Sequence, residues 1–185
     1  GKVRFPPTPL PAMTASSASV SPRNKPSPFP MKKFFFDCGT RDATASLGLL
    51  FLRVGTGLMM FFGHGLGKIQ SFAEKKDGFP VPDFFPLKYM SPPVSLMATI
   101  GAEAVCSVLI ILGLAARPAA FILAFTMTVA AFHVHGSGPW FLGGGEGSKE
   151  PALLYLIPAV AILLAGAGQY SLDASILKES RRKRW

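Results

Sequence analysis

Between Leu47 and Lys68 the chain runs Leu-Gly-Leu-Leu-Phe-Leu-Arg-Val-Gly-Thr-Gly-Leu-Met-Met-Phe-Phe-Gly-His-Gly-Leu-Gly-Lys, long and apolar enough to cross a bilayer, yet with Arg53 inside it. Hydrocarbon offers a guanidinium neither water nor a counter-ion, and placing one at a helix centre costs about 2.5–3.5 kcal/mol even on the lenient translocon scale. A fold that contains this helix must therefore answer Arg53 from elsewhere in the chain. The same stretch ends on a polar step, His64-Gly-Leu-Gly-Lys68.

Apolar residues gather in blocks at about 44–66, 93–114, 118–136 and 151–169, each near the roughly 20 residues that a helix needs to span a bilayer. Hydrophobic residues make up 49% of the chain and charged ones only 16%, too greasy for an ordinary water-soluble domain. The pattern predicts an all-α membrane protein, a four-transmembrane-helix bundle. The net charge of +9 is concentrated at the ends. Lys2, Arg4, Arg23, Lys25, Lys32, Lys33 and Arg41 precede the first block, and Lys178, Arg181, Arg182, Lys183 and Arg184 follow the last. The positive-inside bias then places N- and C-termini in the cytoplasm, with the bundle in the cell inner membrane. No nucleic-acid-reading motif accompanies the charge, so lipid is the expected partner of the basic ends. Cys38 and Cys106 are the only cysteines; with one on the reducing side and one inside a span, no disulfide is expected, and the lack of CxxC removes a dithiol redox centre.

Residues 1–30 are rich in proline and serine and hold no acidic residue, a composition expected to stay disordered. The chain begins on glycine, and Met13 or Met31 is the expected natural start. Residues 31–43 form a basic-aromatic interfacial segment, residues 44–175 the membrane domain, and residues 176–185 a basic tail. Asp42 or Thr44 is positioned to cap the first helix. The aromatic, proline-rich loop from Ser71 to Pro92 is expected to fold back on the outer membrane surface, as an anchor in preference to a lid. Gly113 and Pro118 mark a tight turn between the second and third spans, and Pro158 is expected to kink the fourth.

Depth along the helices sets the expected pairings. Counted from residue 44, Arg53 lies about 13 Å into the membrane; counted from residue 93 on the opposite side, Glu103 lies about 15 Å in. An intramembrane Arg53–Glu103 ion pair follows. His64 shares the face of Arg53 about 16 Å further out, and Lys68 comes one turn later. His133 and His135 near the end of the third span, with Glu150 at the start of the fourth, complete a candidate outer polar cluster: His64, Lys68, His133, His135 and Glu150. The two histidines of the third span point about 160° apart, so only one is expected to face inward. A quinone headgroup suits this cluster best, since its carbonyls accept from His or Lys while Phe and Met line the ring. Haem held by two histidines fits less well, since a second His pair and a haem-peptide motif are lacking, as does a zinc or iron site, because HxH on a helix splits its ligands; no metal is assigned. The plain alternative is a set of interfacial histidines satisfied by water and backbone. The glycine-rich Gly143–Lys149 loop does not match GxxxxGK[ST] and follows no strand, which excludes a nucleotide cradle.

Leu52-Arg-Val-Gly-x-Gly with His64-Gly-x-Gly-Lys68, Gly101-x-Glu103 before Leu112-Gly-Leu-x-x-Arg-Pro118, Glu150 before the last span, and Gly166-x-Gly-x-Tyr-Ser-Leu-Asp173 together resemble the DoxX family of small four-helix integral membrane proteins. The resemblance covers residues of about 45–175. It implies the fold directly and function more loosely: the family takes its name from a membrane subunit associated with a thiosulfate:quinone oxidoreductase, and it offers no universal catalytic motif to carry over. Arg53, His64, Lys68 and Glu103 match recurring polar positions of the family. The implied function is a redox-associated or quinone-linked membrane subunit with oxidoreductase partner subunits. The alternatives are a non-catalytic anchor or assembly partner of an oxidoreductase, and a small-solute or proton carrier.

Overall fold

The structure, a computed structural model, describes Gly1, residues 39–40, 42–144 and 147–182. The proline-rich leader and most of the basic-aromatic segment read from the sequence lie outside these residues. Every regular element among the described residues is helical, with no strand. We label α1 (Ala43–Gln70), α2 (Pro92–Leu112), α3 (Ala116–Val134), α4 (Glu150–Ala165) and α5 (Leu172–Arg182). Three of them, α1 to α3, are long and apolar enough to cross a membrane.

Local chemistry explains most of the boundaries. The Asp42 carboxylate accepts from the Ala45 amide at 2.7 Å and caps α1. Prolines occupy the first turns of α2 and α4, where a missing amide hydrogen costs nothing. α2 ends at Gly113, whose φ of +66° is the left-handed conformation that glycine adopts without penalty. α1 runs past the expected limit of its apolar block to Gln70, because hydropathy locates hydrocarbon, and a helix with polar residues simply continues beyond it. α4 continues through Pro158 but stops at Ala165, short of the expected 169; Gly166 and Gly168, both at positive φ, turn the chain towards α5.

α3 and α4 make the most extensive helix contact, α1 lies against α2, and α2 meets α3 near the turn that joins them. The core mixes small and large side chains: Ala116, Ala120, Leu123, Met127 and Ala131 of α3 pack with Ala159 and Ile162 of α4, Met60 of α1 and Ile110 of α2. Alanine at these positions allows the helix axes close approach. The outward surface is apolar as well, with Phe51 82% exposed and Met59, Phe62, Ile157 and Leu164 similarly open, the reverse of a water-soluble bundle.

Each of the three long helices contains a π-helical turn: Phe61–Gly65 in α1, Gly101–Val105 in α2 and Ala130–Val134 in α3. Such turns carry one residue more than an α-turn and re-aim the side chains around them. The first two touch: a side chain at Gly65 would stand 3.1 Å from the backbone of Ala104.

Candidate functional site: a cavity at the loop end of the bundle

Arg53 does not meet Glu103. Fully buried, its guanidinium donates to the carbonyls of Ile110 (3.2 Å) and Tyr170 (2.6 Å), with the Asp173 carboxylate close enough for electrostatic attraction. Ile110 lies in the last turn of α2, where its carbonyl accepts from the Gly113 amide, keeps a lone pair for Arg53, and sits at the negative end of the helix dipole. Asp173 accepts from the amides of Ala115 (2.9 Å) and Ala116 (3.1 Å), and thereby caps α3 from a distant part of the chain. Arg117, also buried, donates to the Leu164 carbonyl at the end of α4. The expected ion pair fails because the two helices are offset along their axes. Arg53 lies about 15 Å from the start of α1, yet the Ile110 carbonyl that it reaches is only about 3 Å from the end of α2. α1 therefore overshoots the α2–α3 turn, and Arg53 stands at the level of that turn.

Glu103 instead pairs with Lys68, which the extension of α1 carries to the same level. Side-chain exposure is 22% for Lys68 and 7% for Glu103, so the carboxylate is the more deeply buried partner. The pair stands in the wall of a cavity of about 430 Å³, lined by His64 and Met60 of α1, Thr99 of α2, His135 just after α3, Tyr155 of α4 and Ser148 in the loop before it. His64 and Tyr155 meet edge to face, with ring centroids 5.3 Å apart. Phe79, Pro80 and Pro82 close one side, and Ser95 holds that segment by donating to the Pro80 carbonyl at 2.8 Å. The first turns of α2 lie against the Gln70 end of α1 beside this space.

The expected outer cluster is thus split. His64, Lys68 and His135 line the cavity. His133 is exposed and stacks on Phe84, with centroids 4.4 Å apart. Glu150 does not line the cavity: it accepts from the Leu142 amide at 2.7 Å and ties the glycine-rich loop to α4. The 79–82 segment, expected to serve as an anchor in preference to a lid, forms part of the cavity wall. Among the described residues no three His, Cys, Asp or Glu side chains gather in a metal-binding group. Sequence reasoning missed Tyr155 and Ser148 as lining residues, and missed Lys68 as the partner of Glu103. A tyrosine inside the otherwise aliphatic run Ala152–Ala165 was the available signal for the first. It carried no indication of which face it occupied.

The arrangement can bind a mostly apolar molecule that carries hydrogen-bond acceptors. Lys68 retains donor capacity beyond its bond to Glu103, and both His64 and Tyr155 are placed to offer a further donor. Cavities of this size, apolar with a few convergent polar groups, are typical of small-molecule sites.

The DoxX family model matches residues 48–136, which include α1 from its second turn onward, all of α2 and α3, and the Lys68–Glu103 pair. An uncharacterized protein of Haemophilus influenzae is 30% identical over 152 residues, covering 80% of this chain and 96% of its own length. The chain belongs to the DoxX family. A second uncharacterized protein of the same organism is 38% identical over 133 residues, covering 71% of this chain and 92% of its own length. No solved structure matches the chain. Family membership and the apolar helices make this DoxX protein an integral membrane protein.

Proposed function

We propose that this DoxX protein is a redox-associated subunit of the cell inner membrane that binds a quinone headgroup in the cavity at the loop end of its bundle. The observation that carries the reading is the cavity itself, where the Lys68–Glu103 pair, His64 and Tyr155 converge on a space whose apolar walls include Met60, Met127, Phe79 and prolines. A quinone ring is apolar on its faces and accepts hydrogen bonds only at its carbonyls. Lys68, His64 and Tyr155 supply donors to one carbonyl, while the Met and Phe side chains cover the ring. α4 serves as a fourth span in this reading: at 16 residues it is about 24 Å long, and the polar segment after Gly166 returns the chain to the cytoplasmic face. Both termini are cytoplasmic, and the cavity faces the outer leaflet. Electrons come from an oxidoreductase partner subunit.

Purification from membranes followed by organic extraction and mass spectrometry tests the reading. A quinone at near-stoichiometric amount is the expected result, and its loss in Lys68→Met would tie it to the cavity. If the wild-type protein carries no quinone and binds none on addition, yet co-purifies with an oxidoreductase, a non-catalytic anchor is the better description.

A further inference from the structure

We infer that Ser148, on the glycine-rich loop ahead of α4, binds the second carbonyl of the same ring, so that the cavity selects flat molecules with acceptors on opposite edges. The inference rests on the quinone reading and gives it a second point of attachment. Ser148 lines the cavity, is only 4% exposed, and its hydroxyl has no hydrogen-bond partner among the described residues. An unpaired buried hydroxyl is costly, and native interiors seldom leave one without a reason. A bond to a bound ligand provides that reason, because a serine hydroxyl needs only a rotation about χ1 to turn towards a new acceptor.

The surrounding loop is held as a binding wall would be. Glu150 secures Leu142, the Lys149 amide donates to the Pro139 carbonyl at 3.0 Å, and the Lys149 ammonium sits 4.6 Å from the centre of the Trp140 ring. Gly147, at a φ of +77°, brings the next residue to the cavity, and the His135 ring lies beside it. Ser148 stands on the loop before α4, whereas the Lys68–Glu103 pair is carried by α1 and α2. A para-quinone with one hydrogen bond at each end calls for donors about 10 Å apart, each bond adding about 2.8 Å to a ring roughly 5 Å between oxygens.

The test compares two probes on the purified full chain: a decyl-substituted para-benzoquinone, and a decyl-substituted cyclohexenone that keeps a single carbonyl. Binding is followed by quenching of Trp140 fluorescence in a Trp185→Phe background. Ser148→Ala should weaken the benzoquinone about tenfold, the factor that a typical hydrogen bond of about 1.4 kcal/mol contributes, and leave the cyclohexenone unchanged. If Ser148→Ala weakens both probes equally, or neither, while wild type still binds the benzoquinone, the second attachment point is wrong and the quinone site stands. If wild type binds neither probe, the quinone reading fails and this inference fails with it.

Discussion

Lys68 and Glu103 carry opposite charges to the same wall, but they do not depend on one another equally. Glu103 is the more buried, so Lys68→Met strands a carboxylate in an apolar wall, whereas Glu103→Gln leaves an ammonium on a long stem that can reach towards water. Breaking a fully buried pair costs roughly 3–5 kcal/mol, and the exposure of Lys68 places this one at or below the low end. Thermal unfolding in detergent should show Lys68→Met as the more damaging change, with Lys68→Met/Glu103→Leu recovering much of the loss. Additive losses would mean that the two side chains are not coupled. Arg53 and Glu103, by contrast, should behave additively, since they have no partner in common. Arg53→Met removes two bonds from a charged donor to backbone carbonyls, each typically worth about 1.5–3 kcal/mol, and should lower the melting temperature more than any single change in the cavity.

Among the elements, the α2–α3 turn depends most on a single residue. Gly113 combines a left-handed backbone with a position where a Cβ would strike the Arg53 guanidinium and the Ser171 side chain. Its amide bonds Ile110, and the next one bonds Leu109, in the pattern that closes a helix C-terminus. Gly113→Ala should therefore cost more than the roughly 1–2 kcal/mol of the backbone conformation alone, because Arg53 must also move. Its effect on melting temperature should be non-additive with Arg53→Met, which removes the obstruction. The π-helical turns act at the same scale. Where Gly65 faces Ala104, a Cβ would be tighter than ordinary van der Waals contact, so Gly65→Val should push α1 from α2 and separate Lys68 from Glu103. Loss of the proposed quinone binding together with stability is the expected signature; retained binding would show that the helix contact does not shape the cavity.

For the whole molecule, the prediction is topological. If α4 spans and both ends are cytoplasmic, cysteines placed in a Cys38→Ser/Cys106→Ala background should label from opposite sides. Lys75→Cys, in the exposed segment after α1, should react with impermeant reagent added outside, and Lys178→Cys, exposed on α5, only after the membrane is opened. Labelling of Lys178→Cys from outside would overturn the arrangement and place the cavity on the other leaflet. The exposed Leu172 and Ile176, one turn apart on α5 beside Lys178, suit a helix lying in the interface on that cytoplasmic side.

Much of the architecture was legible in composition alone. Apolar blocks of near-bilayer length announce helices, because every buried backbone group in hydrocarbon must be paired within its own segment. Prolines, Asp42 and Gly113 mark helix ends because their preferences act within a few residues. Even the chemical demand was legible: Arg53, Glu103, His64 and Lys68 could not sit among apolar residues without partners. What the chain could not state was which partner each would find. Hydropathy measures position relative to lipid and is blind to the axial offset between helices, so the depths that seemed to match Arg53 with Glu103 were measured from the wrong origins. The overshoot of α1 at one end and its extension to Gln70 at the other are settled by packing. Gly65 fits against Ala104, and Gly113 leaves room for the Arg53 guanidinium. Tertiary structure alone joined Asp173 to the start of α3, decided that His135 and not His133 lines the cavity, and brought Ser148 and Tyr155 to the same cavity, because each of these placements depends on where a second helix stops.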